Sequence, residues 1–247
     1  MRALIFAAGH GKRMGALSRH CPKPLLQVAG KSLIEWQIER LKAAGIEELV
    51  INLARHGERI RNRLGDGASF GVRIAYSEEG EAPLETGGGM LKALPLLGDA
   101  PFLALNADVW CEADLRAFRT RPLRGLAHLM LVPNPPHHPT GDFALSMDGL
   151  LRATGLPRHT FAGIGLYRPE ILEGWPQLFP EPPRSARGDP IFPLGPLLRR
   201  AAEAGLLTGE LFEGFWLDVG TPKRLAALRE RLETSAGWVQ QPPPSGL

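Results

Sequence analysis

Gly9, Gly11, Arg13 and Lys23 crowd into one short segment near the start of the chain, and together they offer what a run of phosphates needs. The apolar stretch Ala3-Leu4-Ile5-Phe6-Ala7-Ala8 empties into Gly9-His10-Gly11-Lys12-Arg13-Met14. A buried strand ending in such a turn frees successive backbone N–H groups to face an anion, because glycine takes positive φ and lets a ligand come close to the main chain. Arg13, and Lys23 within Pro22-Lys23-Pro24-Leu25, set positive charge beside the turn. The pattern predicts a polyphosphate cradle.

Two aspartates add the complementary charge. Asp108 comes just after the apolar run Phe102-Leu103-Ala104-Leu105-Asn106, and Asp218 follows Phe215-Trp216-Leu217, so both stand where strands end. Mg2+ favours one or two carboxylates, with phosphate oxygens and water completing its octahedron. The pair reads as a Mg2+ site, although Asp108 taken alone also suits a helix N-cap. A dinucleotide fold would instead need G-x-G-x-x-G opening a helix. Met14 holds the third glycine position, and Pro22 and Pro24 bar a continuous helix beyond it.

The elements that must carry these residues alternate in the first half. Ser32 can cap a helix with Glu35 at the capping-box position, and Leu33, Ile34, Ile38 and Leu41 fall on one stripe until Gly45 ends it. Leu49–Ile51, Val72–Tyr76 and Phe102–Leu105 read as strands, and His56–Leu64 as an amphipathic helix. The alternation predicts an α/β fold, a mainly parallel sheet with helices on both faces, whose ligands gather at the carboxyl ends of the strands. Further on, Leu126–Val132 reads as a strand, and Asp142–Met147 and Phe161–Tyr167 as antiparallel strands of a lobe laid over the sheet. The stretch Phe179–Pro193 holds five prolines and reads as a long excursion before a helix reaching Ala204. Phe215–Leu217 is a last short strand. Thr221-Pro222 supplies an N-cap and an N1 proline for a helix to about Glu233, and the tail from Ser235 reads as disordered.

The 247 residues and 44% hydrophobic content suit one large domain, residues 1–233. No apolar run reaches the length of a membrane span, and the N-terminus lacks a signal-peptide pattern, so a cytoplasmic protein is expected. Cys21 and Cys111 are expected as free thiols. The net charge of +3 comes from dispersed arginines, which argues against nucleic acid as a partner. His137 and His138 fall in a proline-rich loop and read as solvent-facing, not as metal ligands. Trp36 and Trp216 read as core.

Four ordered motifs resemble the sugar-1-phosphate nucleotidyltransferases: Leu4 to Leu25, Leu84-Glu85-Thr86-Gly87-Gly88, Asn106-Ala107-Asp108, and Trp216 to Pro222. Pro83 to Gly89, Ala93 to Phe102 and Gly141-Asp142-Phe143 resemble more closely the short N-acetylmuramate α-1-phosphate uridylyltransferases. The resemblance implies a nucleotide-diphospho-sugar transferase fold, Rossmann-like with a small sugar-binding lobe, its nucleotide-binding half at about 1–125 and its sugar-binding half at about 126–233, in a monomer or small homo-oligomer. It implies UTP and a sugar-1-phosphate as substrates and Mg2+ as cofactor. Gly9, Gly11, Lys12 and Arg13 would hold the triphosphate, with Lys23 neutralising it and Arg13 and Lys23 acting in catalysis. Glu81 and Gly87 would meet the base and Asn106 the ribose. Asp142 and Gly163 would line the sugar site, and Asp108 and Asp218 would hold Mg2+. Lys12 stands where many relatives carry threonine or serine, and Ala107 where glycine is usual. Arg184 and Arg187, on the excursion, read first as solvated loop arginines, with the alternative that one of them meets the lactyl carboxylate of a muramyl sugar. Thymidylyl or guanylyl transfer to glucose- or mannose-1-phosphate is the neighbouring alternative. A catalytically silent nucleotide-sugar sensor is another class, which the intact Arg13, Lys23, Asp108 and Asp218 oppose.

Overall fold

A computed structural model describes residues 1–15 and 17–234, without the side chains of Lys12, Arg19 and His20. The expectation for the tail from Ser235 lies outside the described residues. The strands are β1 (Arg2–Phe6), β2 (Gln27–Val28), β3 (Lys31–Ser32), β4 (Glu48–Leu53), β5 (Arg73–Glu78), β6 (Phe102–Asn106), β7 (Val109–Cys111), β8 (Ala127–Val132), β9 (Phe143–Leu145), β10 (Leu151–Arg152), β11 (Arg158–Tyr167), β12 (Leu207–Leu211) and β13 (Trp216–Asp218). The helices are α1 (Leu17–His20), α2 (Leu33–Ala43), α3 (Gly57–Leu64), α4 (Glu85–Leu97), α5 (Leu115–Arg119), α6 (Trp175–Leu178), α7 (Gly195–Glu203) and α8 (Pro222–Thr234).

The central sheet runs β6-β1-β4-β5 in parallel, with Ala3 opposite both Leu49 and Leu103. Chain order moves outward from β1 to β4 and β5, then returns to the other side of β1 as β6. That reversal leaves a crevice at the carboxyl ends of β1 and β6, where ligands bind in such sheets. The second half extends the same sheet instead of lying over it. β11 runs antiparallel between β6 and β8, and β12 adds parallel to β8. β9 and β10 form a flap paired to the first residues of β11, and β13 leaves the sheet to pair with β7. A bulge between Phe161 and Gly165 bends β11 beside the crevice.

Local sequence explains the framing helices. The Ser32 hydroxyl accepts from Glu35 N at 3.4 Å and the Glu35 carboxylate from Ser32 N at 2.7 Å, a reciprocal cap whose loss costs about 1 kcal/mol. The capped α2 buries Ile34, Ile38 and Leu41 on one face of the sheet and donates from Gln37 Nε2 to the Val109 carbonyl, bracing the chain just after Asp108. On the opposite face α4 packs Met90, Ala93 and Leu97 against Leu4 and Ala104. No amphipathic stripe announces α4, because Gly87, Gly88 and Gly89 occupy its buried side. A Cβ on Gly87 would stand 2.5 Å from the Phe192 ring, and one on Gly89 2.5 Å from Glu79 Oε1. The three glycines let backbone meet backbone, with Gly87 N and Gly88 N both donating to Phe192 O at 3.0 Å.

Candidate active site

A cavity of about 700 Å3 opens at the end of β1 and β6. The turn Ala7 to Gly11 forms one wall, with Gly11 at φ +61° and the tight turn Lys12–Met14 closed by Met14 N donating to Gly11 O at 2.8 Å. The left-handed value at Gly11 is one that a side chain resists, and it is what curls the backbone around the cavity. Arg13 is exposed along this wall. Lys23 enters from a second turn, where Pro22 and Pro24 hold Lys23–Leu25 in a single helical twist.

Lys23 Nζ is ion-paired to Asp108 Oδ2, the lysine side chain 10% and the aspartate 29% exposed. Asp218 stands beside them because β13 pairs with β7: it faces Val109, and Val219 N donates to Asp108 O at 2.8 Å. Its carboxylate has Arg224 Nη2 at 2.9 Å and His137 Nε2 at 3.0 Å. The histidine meets Oδ1 at an angle that makes no hydrogen bond, so that oxygen is buried with its hydrogen-bonding capacity unused. Thr221 Oγ1 accepts from Arg224 N at 3.3 Å, which places the arginine in the first turn of α8 against Asp218. Asp218 does not line the cavity itself, whereas Asp108 and Gly220 do.

Behind the glycine turn lies a buried polar relay. Ala7 N donates to Asn52 Oδ1 at 2.6 Å, Asn52 Nδ2 to Glu79 Oε1 at 2.6 Å, and Leu84 N to Glu79 Oε2 at 2.6 Å. Glu79 is 1% exposed, and desolvation pushes its carboxyl up to about 7 against the opposing pull of those hydrogen bonds. The relay ties the phosphate turn to the loop before α4, and both Asn52 and Glu79 face the cavity. Glu85, the first residue of α4, lines it too and sits at φ +61°, a strained value for a residue with a side chain.

A second cavity of about 220 Å3 continues from the first, sharing Phe6, Thr86 and Asn106. Asp142, Phe143, Phe161 and Gly163 form its β-strand side, and Leu194, Gly195, Leu198 and Arg199 its helical side. Gly163 sits at φ +75° in the β11 bulge, and a Cβ there would lie 2.5 Å from Asn106 Nδ2. Only glycine lets β11 pass this close to Asn106.

A family model described as nucleotidyl transferase matches residues 2–136. Over 244 residues the chain is 46% identical to the N-acetylmuramate alpha-1-phosphate uridylyltransferase of Neisseria meningitidis serogroup B, covering 96% of this chain and 100% of that one. The chain belongs to the nucleotidyl transferase family. The enzyme of the same description from Caulobacter vibrioides is 36% identical, over 93% of this chain and 96% of its own. The fold matches a Bacillus anthracis structure described as a glucose-1-phosphate thymidylyltransferase, with TM-score 0.77, 21% identity and 94% of each chain covered. At that identity the likeness speaks for the nucleotide-diphospho-sugar transferase fold alone.

Among the residues assigned nucleotidyl transferase roles by resemblance, Gly9, Gly11, Arg13, Lys23, Asn106 and Asp108 meet on the larger cavity, and Asp142, Gly163 and Asn106 on the smaller. The Lys12 side chain lies outside the described residues. Glu81 is exposed and Gly87 buried against Phe192, and neither lines a cavity; Glu79 and Thr86 do. Sequence reasoning passed over Asn52 and Glu79 because each ends an ordinary strand, and their pairing across the sheet becomes visible only once β4 and β5 are in register. His137 and His138 lie in a loop as expected, the first exposed and the second half-buried, and they also approach Asp218 at 3.0 Å and Asp142 at 3.1 Å. One expectation needs correction. The excursion does not fold over the sugar side. Lys92 pairs with Asp189 at 2.7 Å and Phe192 O holds the start of α4, so Arg184 turns to Gly188 O and Arg187 to Glu78 O.

Proposed function

We propose that this protein is a uridylyltransferase that joins UTP and N-acetylmuramic acid 1-phosphate into UDP-N-acetylmuramic acid and pyrophosphate, a cytoplasmic step in recycling cell-wall sugar. The observation that carries this reading is the join of the two cavities at Asn106, with Lys23 and Asp108 beside it on the larger one. The larger space suits a nucleoside triphosphate and the smaller a sugar, and the reacting phosphates would meet where they join. The uridylyl and muramyl specificity follows the two relatives of that description. Among the described residues no helix is long and apolar enough to cross a membrane.

The chemistry needs no protein nucleophile. A sugar-1-phosphate is largely dianionic at neutral pH, since a phosphate monoester has a second pKa of about 6. Its oxygen attacks the α-phosphorus of UTP in line with departing pyrophosphate: one P–O bond forms, one breaks, and no general base is required. The amides of Gly9 to Gly11 would cradle the phosphates, and Arg13 and Lys23 would meet the charge that grows on the α-phosphoryl and leaving oxygens. Asn106 would position the ribose, Thr86 and the Glu79 loop the base, and Asp142 and Gly163 the sugar.

Asp108 and Asp218 fit Mg2+ by donor type, and the unused Asp218 Oδ1 is an oxygen with coordination capacity to spare. Among the described residues no three His, Cys, Asp or Glu gather as a metal cage. Bound there, Mg2+ would neutralise the phosphates that two anionic substrates bring together. Lys23 would then exchange its aspartate partner for phosphate. Incubation with UTP, MgCl2 and N-acetylmuramic acid 1-phosphate, read by mass spectrometry, should yield UDP-N-acetylmuramic acid and one pyrophosphate per product. A nucleotide released without the sugar attached would refute the transfer.

A further inference from the structure

The smaller cavity has a distribution of charge that the transfer chemistry leaves unexplained. Its walls are mostly apolar, and among the described residues its only charged lining residues are Asp142 and Arg199. Asp142 is committed: His138 Nε2 lies 3.1 Å from Oδ1, and Phe161 N donates to Oδ2 at 2.8 Å. Arg199 has no hydrogen bond or ion pair among the described residues, whereas Lys92 and Arg224 are each paired with a carboxylate. It projects from the second turn of α7 back over Gly195, where a Cβ would lie 3.7 Å from its Nη1, an ordinary van der Waals contact. The α7 entrance is itself fixed to the nucleotide side of the site, because Leu194 N donates to Thr86 Oγ1 at 3.0 Å.

Lys23 and Asp108 line only the larger cavity, Arg199 only the smaller, and Asn106 both. A sugar-1-phosphate held with its phosphate beside Lys23 would therefore carry its ring past Asn106 toward an unpaired cation. A neutral sugar offers that cation acceptor oxygens but no opposite charge. A sugar bearing a carboxylate supplies that charge, and a planar guanidinium can take both carboxylate oxygens at once.

We propose that Arg199 is the specificity-determining residue of the sugar subsite and takes the carboxylate of the lactyl ether that distinguishes N-acetylmuramic acid from N-acetylglucosamine. This inference rests on the substrate reading given above and replaces Arg184 and Arg187 in that role. The side chain is exposed on the helix surface, so its replacement leaves the packing of α7, through Leu197, Leu198, Ala201 and Ala202, in place.

The test is the ratio of kcat/KM for N-acetylmuramic acid 1-phosphate to that for N-acetylglucosamine 1-phosphate, measured by pyrophosphate release in the wild type, Arg199→Gln and Arg199→Lys. Loss of a charge-assisted pair at a partly open site should lower the ratio about tenfold in Arg199→Gln, through KM for the muramyl sugar more than through kcat. Arg199→Lys, which keeps the charge but not the fork, should fall between. Calorimetry with the two UDP-sugars should show the same loss, for UDP-N-acetylmuramic acid alone. A ratio unchanged in Arg199→Gln, or an equal loss on both sugars, overturns the role of Arg199 while a wild-type preference for the muramyl sugar leaves the substrate reading standing. A wild type that prefers N-acetylglucosamine 1-phosphate overturns that reading and the inference with it.

Discussion

Glu79 should make the stability of this protein depend on pH in a direction opposite to that of an ordinary paired carboxylate. Its carboxyl, normally near 4.5, is raised to about 7 by burial. The folded state therefore holds a proton that the unfolded chain has already released. The stabilisation is fully present below the unfolded value and is lost as pH rises through about 7. At ~1.4 kcal/mol for each tenfold change in proton affinity, the loss between pH 5 and pH 8 comes to about 2.5 kcal/mol. Glu79→Gln removes the titration. It also presents one acceptor oxygen to two donors, Asn52 Nδ2 and Leu84 N, which costs about 1–3 kcal/mol at every pH. Urea unfolding of both proteins from pH 5 to 8 separates the two effects. The wild type should exceed the variant by about 2.5 kcal/mol more at pH 5 than at pH 8, while Glu35, Glu48 and Asp148, whose carboxyls are lowered, contribute equally to both and cancel. Parallel pH curves would refute the reasoning. Because the relay ends on Ala7 N, the variant should also raise KM for UTP.

Asp108→Asn or Asp218→Asn should lower kcat by about a hundredfold or more, the scale of losing a principal electrostatic stabiliser, and near-normal turnover of both at saturating Mg2+ would remove the metal assignment. Arg13→Lys should not recover the wild-type rate, since lysine lacks the fork that spans two oxygens, and a variant impaired only in KM for UTP would leave Arg13 as an anchor. Gly163→Ala should raise KM for the sugar-1-phosphate: the left-handed backbone at φ +75° and the approach to Asn106 Nδ2 cost about 1–2 kcal/mol or more. An unchanged KM for the sugar would detach Gly163 from the subsite.

The sheet was legible because its buried strands are short apolar runs bounded by turns, and the capping box at Ser32 and the Thr221-Pro222 start of α8 are local signals that the fold obeys. The helix α4 was hidden because its sequence looks like a loop: three successive glycines and Pro95 carry poor helix propensity, and close packing against Phe192 and Glu79 is what rewards them. β12 was hidden too, since Leu207-Thr208-Gly209-Glu210-Leu211 becomes a strand only by pairing with β8. At the site, the phosphate turn, Lys23 and Asp108 were readable from spacing. Asn52, Glu79, His137 and Arg199 were not, because each acquires its place through a contact remote in sequence.

Uridylyl transfer to a muramyl sugar is measured most directly by a competition matrix. UTP, dTTP, GTP, CTP and ATP are offered with N-acetylmuramic acid, N-acetylglucosamine, glucose and mannose 1-phosphates, and kcat/KM is read from pyrophosphate release. UTP with N-acetylmuramic acid 1-phosphate should exceed every other pair. A maximum at dTTP with glucose-1-phosphate or GTP with mannose-1-phosphate would contradict the substrate assignment, and no turnover with any pair would contradict catalysis itself.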